Sequence, residues 1–88
     1  MKEGNLTIDN KMGLHARPAA LLAQTANKFH SEVVIVKDGI EVNAKSVMGL
    51  MMLAAESGSQ VKLRVTGSDE EAAFQALTQV FKARFSEE

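Results

Sequence analysis

The spacing of hydrophobic and polar residues divides the chain into segments of two different periods. Residues 5–8 alternate polar and apolar side chains, which predicts a half-buried strand. From Pro18 to Phe29 the apolar residues recur at helical spacing, and Pro18 suits the first turn of a helix, where an N–H is not needed. The predicted inner face of this helix consists of Leu21, Leu22, Thr25, Ala26 and Phe29.

A β-hairpin is predicted after the first helix. The β-branched run Val33–Val36 and the alternating segment Ile40–Val42 each have the composition of a strand. Asp38 and Gly39 separate the two segments, and this dipeptide is typical of a two-residue type I′ turn. The hairpin is the strongest local structural signal in the sequence.

The second half of the chain predicts two further helices around a fourth strand. Ser46 opens a short apolar helix that runs to about residue 53 or 54. Residues 60–66 alternate strictly, as a strand with one buried face does. Ser68 and Glu71 have the spacing of a capping box, which predicts that the last helix begins with Ser68 as its N-cap. The apolar face of this helix is formed by Phe74, Leu77 and Phe81.

These segments have the order β-α-β-β-α-β-α, which indicates an α+β fold. We expect a two-layer open-faced sandwich, in which a four-stranded antiparallel sheet carries all three helices on one face. A chain of 88 residues supports one modest core, so residues 1–88 are expected to form a single domain.

Composition and charge exclude several classes of function. Ten Lys and Arg against eleven Asp and Glu, with no Trp or Tyr, argue against a nucleic-acid binder. The absence of Cys from the sequence excludes disulfides, thiolate metal sites and a cysteine nucleophile. The apolar runs are too short to span a bilayer, and the first eleven residues lack the hydrophobic region of a signal peptide. We therefore expect a cytoplasmic protein without membrane insertion.

The segment GLHARP, residues 13–18, combines a histidine with a helix start and an arginine. The N–H groups and the dipole of a first helical turn attract anions, and the Arg17 guanidinium matches phosphate oxygens. The His15 imidazole is nucleophilic at neutral pH, and Gly13 gives the chain room to turn before it. This combination suits a transient phosphohistidine. From the residues alone, a solvated or capping histidine beside a solvated arginine is equally compatible.

Two segments resemble a known family. GLHARPA, residues 13–19, resembles the active-site segment of the HPr family, the histidine-containing phosphocarriers of the bacterial phosphoenolpyruvate:sugar phosphotransferase system. NAKSVMGLM, residues 43–51, resembles the regulatory segment of the same family. The resemblance extends over the whole chain, in its length and in its predicted order of elements.

The resemblance implies a phosphoryl carrier rather than an enzyme with its own turnover. Enzyme I, with phosphoenolpyruvate as donor, would phosphorylate His15 on Nδ1, and the carrier would pass the phosphoryl group to the A domains of enzymes II. Arg17 and the backbone N–H groups of Ala16 and Arg17 would stabilise that group. Neither a cofactor nor a metal is expected, because His15 and His30 are far apart in sequence and lack clustered carboxylates.

Ser46 admits two interpretations. Its hydroxyl suits an N-cap that accepts a hydrogen bond from a backbone N–H two or three residues later. The resemblance implies regulatory phosphorylation of Ser46 by an HPr kinase/phosphorylase. A phosphate at this position is compatible with the helix dipole, and its negative charge would hinder transfer from enzyme I.

The predicted second helix is apolar nearly all round. Leu50 and Leu53 can face the sheet, whereas other apolar side chains fall on a different face and serve either as core or as an adaptable docking surface. The resemblance implies docking by Val47, Met48 and Met51, beside Ala16, Ala20 and Gln24. The positive charges expected to steer acidic partners toward the two sites are Lys11, Arg17 and Lys45.

Other functions fit the sequence less well. An acylphosphatase-type enzyme would need a Gly-rich segment with a nearby arginine, and an RNA-binding sheet would need basic and aromatic residues that this chain lacks. The main alternative is an HPr-like regulator, either in the nitrogen-related branch of phosphotransfer or acting mainly by binding regulators. His15 argues against a purely regulatory protein but does not separate the two branches. We expect a monomer.

Overall fold

The computed structural model describes residues 1–9 and 11–84 of the chain. The order of its elements confirms the predicted β-α-β-β-α-β-α arrangement, and a π-helical segment, Val80–Arg84, continues the last helix. The elements are β1 (Lys2–Thr7), α1 (Ala16–Ala26), β2 (Glu32–Lys37), β3 (Ile40–Asn43), α2 (Val47–Met52), β4 (Gln60–Thr66) and α3 (Glu70–Gln79). Within the described residues, none of the helices is long and apolar enough to cross a membrane.

The four strands form one antiparallel sheet in the order β1-β4-β2-β3. Leu6 of β1 pairs with Val61 of β4, and Leu63 of β4 pairs with Ile35 of β2. Helix α3 packs on β1 and β4, α2 packs on β3, and α1 contacts both other helices. The helices therefore cover one face, and the expected α+β open-faced sandwich is confirmed.

The core lies between the sheet and the helices. Along β2 and β4, alternate side chains point inward, as the period of a strand requires. Each large apolar side chain that is fully removed from water contributes about 1.5–3 kcal/mol. The largest of them are Ile8, Leu22, Ile35, Leu50, Leu63 and Leu77.

Helix α1 begins and ends earlier than the sequence predicted, and its inner face is rotated. It runs from Ala16 to Ala26 instead of 18–29, and Pro18 lies in its first turn as expected. Small side chains dominate the buried face, which lets the helix approach its neighbours closely. Of the predicted inner residues, Leu22 and Ala26 are buried, whereas the following are half-buried: Leu21, Thr25 and Phe29. The buried set is Pro18, Ala19, Leu22, Ala23 and Ala26.

The hairpin turn has the predicted conformation. Lys37 pairs with Ile40, which leaves a two-residue loop. Asp38 has φ 53° and Gly39 has φ 81°, so both loop residues are left-handed, as a type I′ turn requires. Strands β2 and β3 are each slightly longer than predicted, and β1 begins three residues before the predicted strand.

The predicted capping box at the start of α3 is wrong. The N-cap is Asp69 rather than Ser68. The Asp69 carboxylate is engaged elsewhere, because it accepts hydrogen bonds from the loop that follows α1. In a capping box, a glutamate side chain also accepts a hydrogen bond from a backbone N–H before the helix. Here Glu70, and not Glu71, makes such a bond: its Oε1 accepts from the Gly67 N–H at 3.1 Å.

Candidate functional site

His15 lies at the N-cap of α1, where an extended backbone (φ −90°, ψ −169°) leads into the helix. Its carbonyl accepts the first intrahelical hydrogen bond, from the Ala19 N–H at 3.0 Å. Ala16 and Arg17 are the first two helical residues, and both are exposed. The first helical N–H groups normally have no carbonyl partner within the helix. Pro18 has no N–H, so the backbone N–H groups of the helix that come before Ala19 are those of Ala16 and Arg17.

The loop before His15 is held against the loop after α2. The Leu14 N–H donates to the Ala55 carbonyl at 2.8 Å, and the Leu14 side chain is buried. Gly13 has φ +72°, and a Cβ at this position would lie 2.5 Å from the Ala55 oxygen. Glycine is therefore required by both the backbone conformation and the close approach, which bears out the turn expected at Gly13.

A cavity of about 520 Å³ lies between these two loops, with His15 in its wall. It brings a cation, Lys11, and a carboxylate residue, Glu56, to the same place as the imidazole. The sequence did not indicate Glu56, because nothing in its local pattern reveals that the segment after α2 folds back onto residues 11–15. The lining residues are Lys11, Met12, Leu14, His15, Ala54, Ala55, Glu56 and Ser57.

Ala54, at the end of α2, has a left-handed backbone with φ 51°. It follows the C-cap Leu53, and its N–H donates to the Met51 carbonyl at 3.2 Å. This is the position where helices commonly end in glycine, because a Cβ is disfavoured there. The turn at Ala54 redirects the chain so that residues 54–57 form one wall of the His15 cavity.

Ser46 has the predicted capping geometry. It is the N-cap of α2, and its Oγ accepts a hydrogen bond from the Gly49 N–H at 3.0 Å. The preceding residue, Lys45, donates from Nζ to the Phe29 carbonyl at 2.8 Å, just beyond the end of α1. The two lysines therefore accompany different sites. Lys45 is next to Ser46 in the chain, and Lys11 lies in the wall of the His15 cavity.

The apolar side chains of α2 divide as the helical pattern predicts. Leu50 is fully buried, whereas Met48 is 77% exposed, Met51 45% and Val47 36%. The last three therefore form a surface and not part of the core. On α1, which contacts α2, Ala16 and Gln24 are exposed and Ala20 is half-buried. The sequence-based docking set omitted two further exposed methionines, Met12 at 73% and Met52 at 77%.

The ionisable groups with shifted pKa values lie on other elements. The Ser31 hydroxyl and then the His30 N–H lower the pKa of Asp69 to about 2. The N-terminal ammonium lowers the pKa of Glu70, with which it forms an ion pair at 2.9 Å. On the open face of the sheet, a hydrogen bond with Glu3 raises the pKa of Arg64. Across residues 1–9 and 11–84, no group of three His, Cys, Asp or Glu residues is placed to hold a metal ion.

Comparison with known proteins identifies the family. The sequence model described as "PTS HPr component phosphorylation site" matches residues 2–83. The chain belongs to the HPr family of the phosphotransferase system. It is 50% identical to the phosphocarrier protein HPr of Xylella fastidiosa (strain Temecula1) over 88 residues, which are all of this chain and 99% of the relative. It is therefore a phosphocarrier and does not belong to a family of catalytic enzymes.

The similar proteins include an HPr-like protein and an HPr that was crystallised as a dimer. The HPr-like protein Crh of Halalkalibacterium halodurans is 54% identical over 77 residues, or 88% of this chain and 92% of Crh. A crystal structure of HPr from Thermoanaerobacter tengcongensis has a TM-score of 0.92 at 52% identity and covers 97% of this chain and 96% of its own. A crystal structure of an HPr dimer from the same organism has a TM-score of 0.78 at 51% identity and covers 98% and 99%.

Proposed function

We propose that this phosphocarrier accepts a phosphoryl group on Nδ1 of His15 from phosphorylated enzyme I and passes it to the A domains of enzymes II for sugar uptake. The observation that carries the proposal is the position of His15. It stands at the N-cap of α1, in the wall of an open cavity, next to the first two N–H groups of the helix. The membership in the HPr family supports this function for the whole chain.

The transfer itself requires positioning and charge stabilisation. The His15 nitrogen attacks phosphorus as the bond to the donor breaks, so negative charge spreads over the three peripheral oxygens. In our proposal the N–H groups of Ala16 and Arg17 and the Arg17 guanidinium stabilise that charge. The dipole of the eleven-residue helix α1 acts in the same direction.

A carrier must also release what it binds. Pro18 removes a third N–H donor from the helix start, and the cavity is open to solvent on one side. Two N–H groups and one arginine hold a phosphoryl group less strongly than the four or more donors of a dedicated phosphate-binding loop. The composition of the site therefore suits a phosphoryl group that passes on to a second protein.

Partner proteins would dock on the face formed by α1 and α2. We propose that Ala16, Ala20 and Gln24, together with the exposed side chains of α2, contact enzyme I and the A domains in turn. Flexible methionines adapt to different partner surfaces, which suits one carrier with several partners. The exposed residues of α2 in this proposal are Val47, Met48 and Met51.

Phosphorylation of Ser46 would regulate this docking. Ser46 caps α2 beside the proposed interface, and a phosphate there would add about two negative charges next to the partner-binding side chains. We propose that an HPr kinase/phosphorylase adds this group and thereby slows transfer from enzyme I. We further propose that residues 1–88 act as a monomeric, cytoplasmic single domain, although an HPr dimer is known from Thermoanaerobacter tengcongensis.

Intact-mass measurement tests the central proposal. The protein is incubated with phosphoenolpyruvate and a bacterial enzyme I whose activity has been checked on a known HPr. We expect one acid-labile phosphoryl group on the wild-type protein and none on the His15→Ala variant. A Lys28→Ala variant serves as a matched control, because Lys28 is exposed beyond the far end of α1.

The same measurement separates the carrier from a regulator. If neither protein gains phosphate, the carrier function is wrong, and the similarity to Crh of Halalkalibacterium halodurans would favour an HPr-like regulator that acts by binding. If His15→Ala is phosphorylated as well as the wild type, the phosphoryl group is on another residue. An ATP-dependent assay with an HPr kinase then tests Ser46 separately.

A further inference from the structure

Four of the five methionines of this protein lie on α2 or in the loop before α1. All five are exposed, and none belongs to the core formed by the described residues. The chain has no Cys, Trp or Tyr, so thioethers are the side chains most readily oxidised by peroxides. Apart from Met1, the methionines are Met12, Met48, Met51 and Met52, which we call the methionine cluster.

The methionine cluster consists of one residue in the wall of the His15 cavity and three residues of α2. Met12 lines the cavity together with His15. Met48, Met51 and Met52 are spaced i, i+3 and i+4 on α2, so they lie on one side of that helix. Met52 precedes the cavity wall at Ala54 by two residues. One thioether therefore lies in the wall of the His15 cavity, and three lie on the exposed side of α2, on which we propose that partners dock.

We propose that the methionine cluster is a site of reversible oxidation by hydroperoxides, and that its oxidation slows phosphoryl transfer to His15. The inference rests on the proposed carrier function, because the transfer rate is what the modification would change. Oxidation of the methionine cluster would regulate docking at the same surface as phosphorylation of Ser46, but through a different chemical group.

A hydroperoxide is the oxidant that converts the methionine thioether to a sulfoxide. The thioether sulfur attacks one peroxide oxygen, an S–O bond forms, and the O–O bond breaks. Sulfur loses two electrons, the proton of the attacked O–H group passes to the leaving oxygen, and the peroxide is thereby reduced to an alcohol, or to water when the oxidant is hydrogen peroxide. In the reverse step, two thiols supply two electrons and two protons, and they leave a disulfide, the thioether and water.

Oxidation would change docking without changing the fold. A sulfoxide is polar and accepts hydrogen bonds strongly, so it resists transfer from water into an apolar interface. Met48 and Met52 are each 77% exposed, so their sulfur atoms can react without any opening of the structure. Because the described core contains no methionine, the stability of the folded chain should stay nearly constant.

The experiment compares untreated, oxidised and repaired samples of the full chain. Hydrogen peroxide is applied until intact mass shows four or five added oxygen atoms, and peptide mapping verifies that His15 and His30 are unmodified. Enzyme I then phosphorylates each sample over a range of carrier concentrations. We expect KM for the carrier to rise roughly three- to tenfold on oxidation, the effect of losing one or two apolar contacts. Methionine sulfoxide reductases should restore the original KM.

A Met12→Leu/Met52→Leu variant locates the effect within the cluster. Leucine has nearly the volume of methionine and cannot form a sulfoxide. Each protein is compared with its own untreated sample, and the variant should lose part of its sensitivity to peroxide. Circular dichroism should show the same unfolding temperature before and after treatment.

Three outcomes are decisive. A fully oxidised protein with unchanged KM and kcat would overturn the inference. A loss of transfer accompanied by unfolding would also overturn it, because the effect would then be structural. If the untreated protein accepts no phosphoryl group at all, the proposed carrier function fails instead, and the redox inference fails with it.

Discussion

Asp69 holds Ser31 through two hydrogen bonds: its Oδ1 accepts from both the backbone N–H, at 2.9 Å, and the side-chain hydroxyl of Ser31. The other carboxylate oxygen accepts from the His30 N–H at 2.9 Å. Ser31 is buried, and Gly67 packs against it so closely that a Cβ on Gly67 would lie 2.6 Å from the Ser31 hydroxyl. The start of α3 is thus fastened to the loop that connects α1 with β2.

This arrangement predicts that stability depends on pH in the acid range. The pKa of Asp69 falls from 3.8 to about 2 on folding, chiefly through the Ser31 hydroxyl. Because the folded pKa is depressed, the stabilisation is fully present above pH 4 and is lost as pH falls from 4 toward 2. Asp69→Asn should therefore flatten the dependence of the unfolding temperature on pH in this interval.

Asp38→Asn is the matched control for the pH experiment. It removes the same charge from an exposed turn, and asparagine tolerates the left-handed backbone of Asp38. Thermal unfolding is followed by circular dichroism from pH 2 to pH 7 for all three proteins. The account of Asp69 is wrong if the two variants show the same pH profile.

Ala54→Gly should stabilise the protein. A left-handed alanine costs roughly 1–2 kcal/mol, whereas glycine in an unstrained position costs roughly 0.5–1 kcal/mol of extra chain entropy. The difference favours glycine by about 0.5–1 kcal/mol, and the exposed side chain of Ala54 leaves no cavity. Urea denaturation measures the free energy of unfolding.

Ala72→Gly is the control for this prediction, and it should lower the free energy of unfolding in the same assay. Ala72 is exposed within α3, where glycine should destabilise by about 1 kcal/mol. The two substitutions are chemically identical, so their difference isolates the backbone conformation. Equal destabilisation by both would contradict the assignment of strain to Ala54.

Ser46 variants separate its structural role from its proposed regulatory one. Ser46→Ala removes the hydrogen bond to the Gly49 N–H and should cost about 1 kcal/mol of unfolding free energy. Ser46→Asp keeps an acceptor at the N-cap and should retain most of that stability. Its negative charge should nevertheless slow phosphoryl transfer from enzyme I, whereas Ser46→Ala should transfer at a rate closer to the wild type. If Ser46→Asp transfers as fast as Ser46→Ala, charge at this position does not regulate docking.

Glu56→Gln should increase the fraction of phosphorylated carrier at equilibrium. The Glu56 residue and His15 line the same cavity, so a carboxylate there would repel a phosphoryl group on the imidazole. A repulsion of roughly 0.4–1.4 kcal/mol, the order expected in water between a dianion and a nearby carboxylate, corresponds to roughly a two- to tenfold change in the equilibrium constant. Intact-mass measurement at a fixed ratio of phosphoenolpyruvate to pyruvate gives this constant.

Glu32→Gln is the control for this prediction. It removes the same charge from an exposed position at the start of β2, just after the loop that follows the far end of α1. Only the Glu56 variant should shift the equilibrium, and added salt should reduce the difference. An equal shift in both variants would mean that net charge, and not proximity to His15, is responsible.

The sequence predicted the elements that depend on local chemistry. The Asp38-Gly39 turn, the Ser46 cap and the alternation in β4 each follow from conformational preferences within a few residues, and each has the predicted geometry. The division of α2 into a buried Leu50 and exposed methionines also follows from helical spacing. His15 was singled out because a histidine, a helix start and an arginine are consecutive in the chain.

Long-range contacts explain what the sequence did not predict. Ser68 and Glu71 have good capping spacing, but the contact of Asp69 with residues 38 and 39 positions earlier moves the N-cap by one residue. Glu56 enters the His15 cavity because the Ala55 carbonyl pairs with the Leu14 N–H, a contact between residues 41 positions apart. Neither contact leaves a periodic signal in the sequence.

The ion pairs of Arg64 affect how readily two molecules associate through the uncovered side of the sheet. Arg64 contacts Glu3 at 3.3 Å and Glu41 at 3.4 Å, so three side chains span the uncovered side of the sheet from β1 to β3, across the half-buried Val34 of β2. An uncovered sheet face with exposed apolar side chains would favour association with a second sheet. Charges of both signs keep this side hydrated, which disfavours association of two molecules through their sheets. In the carrier function that we propose, apolar contacts with partner proteins would then be confined to the helical side of the molecule, where His15 lies.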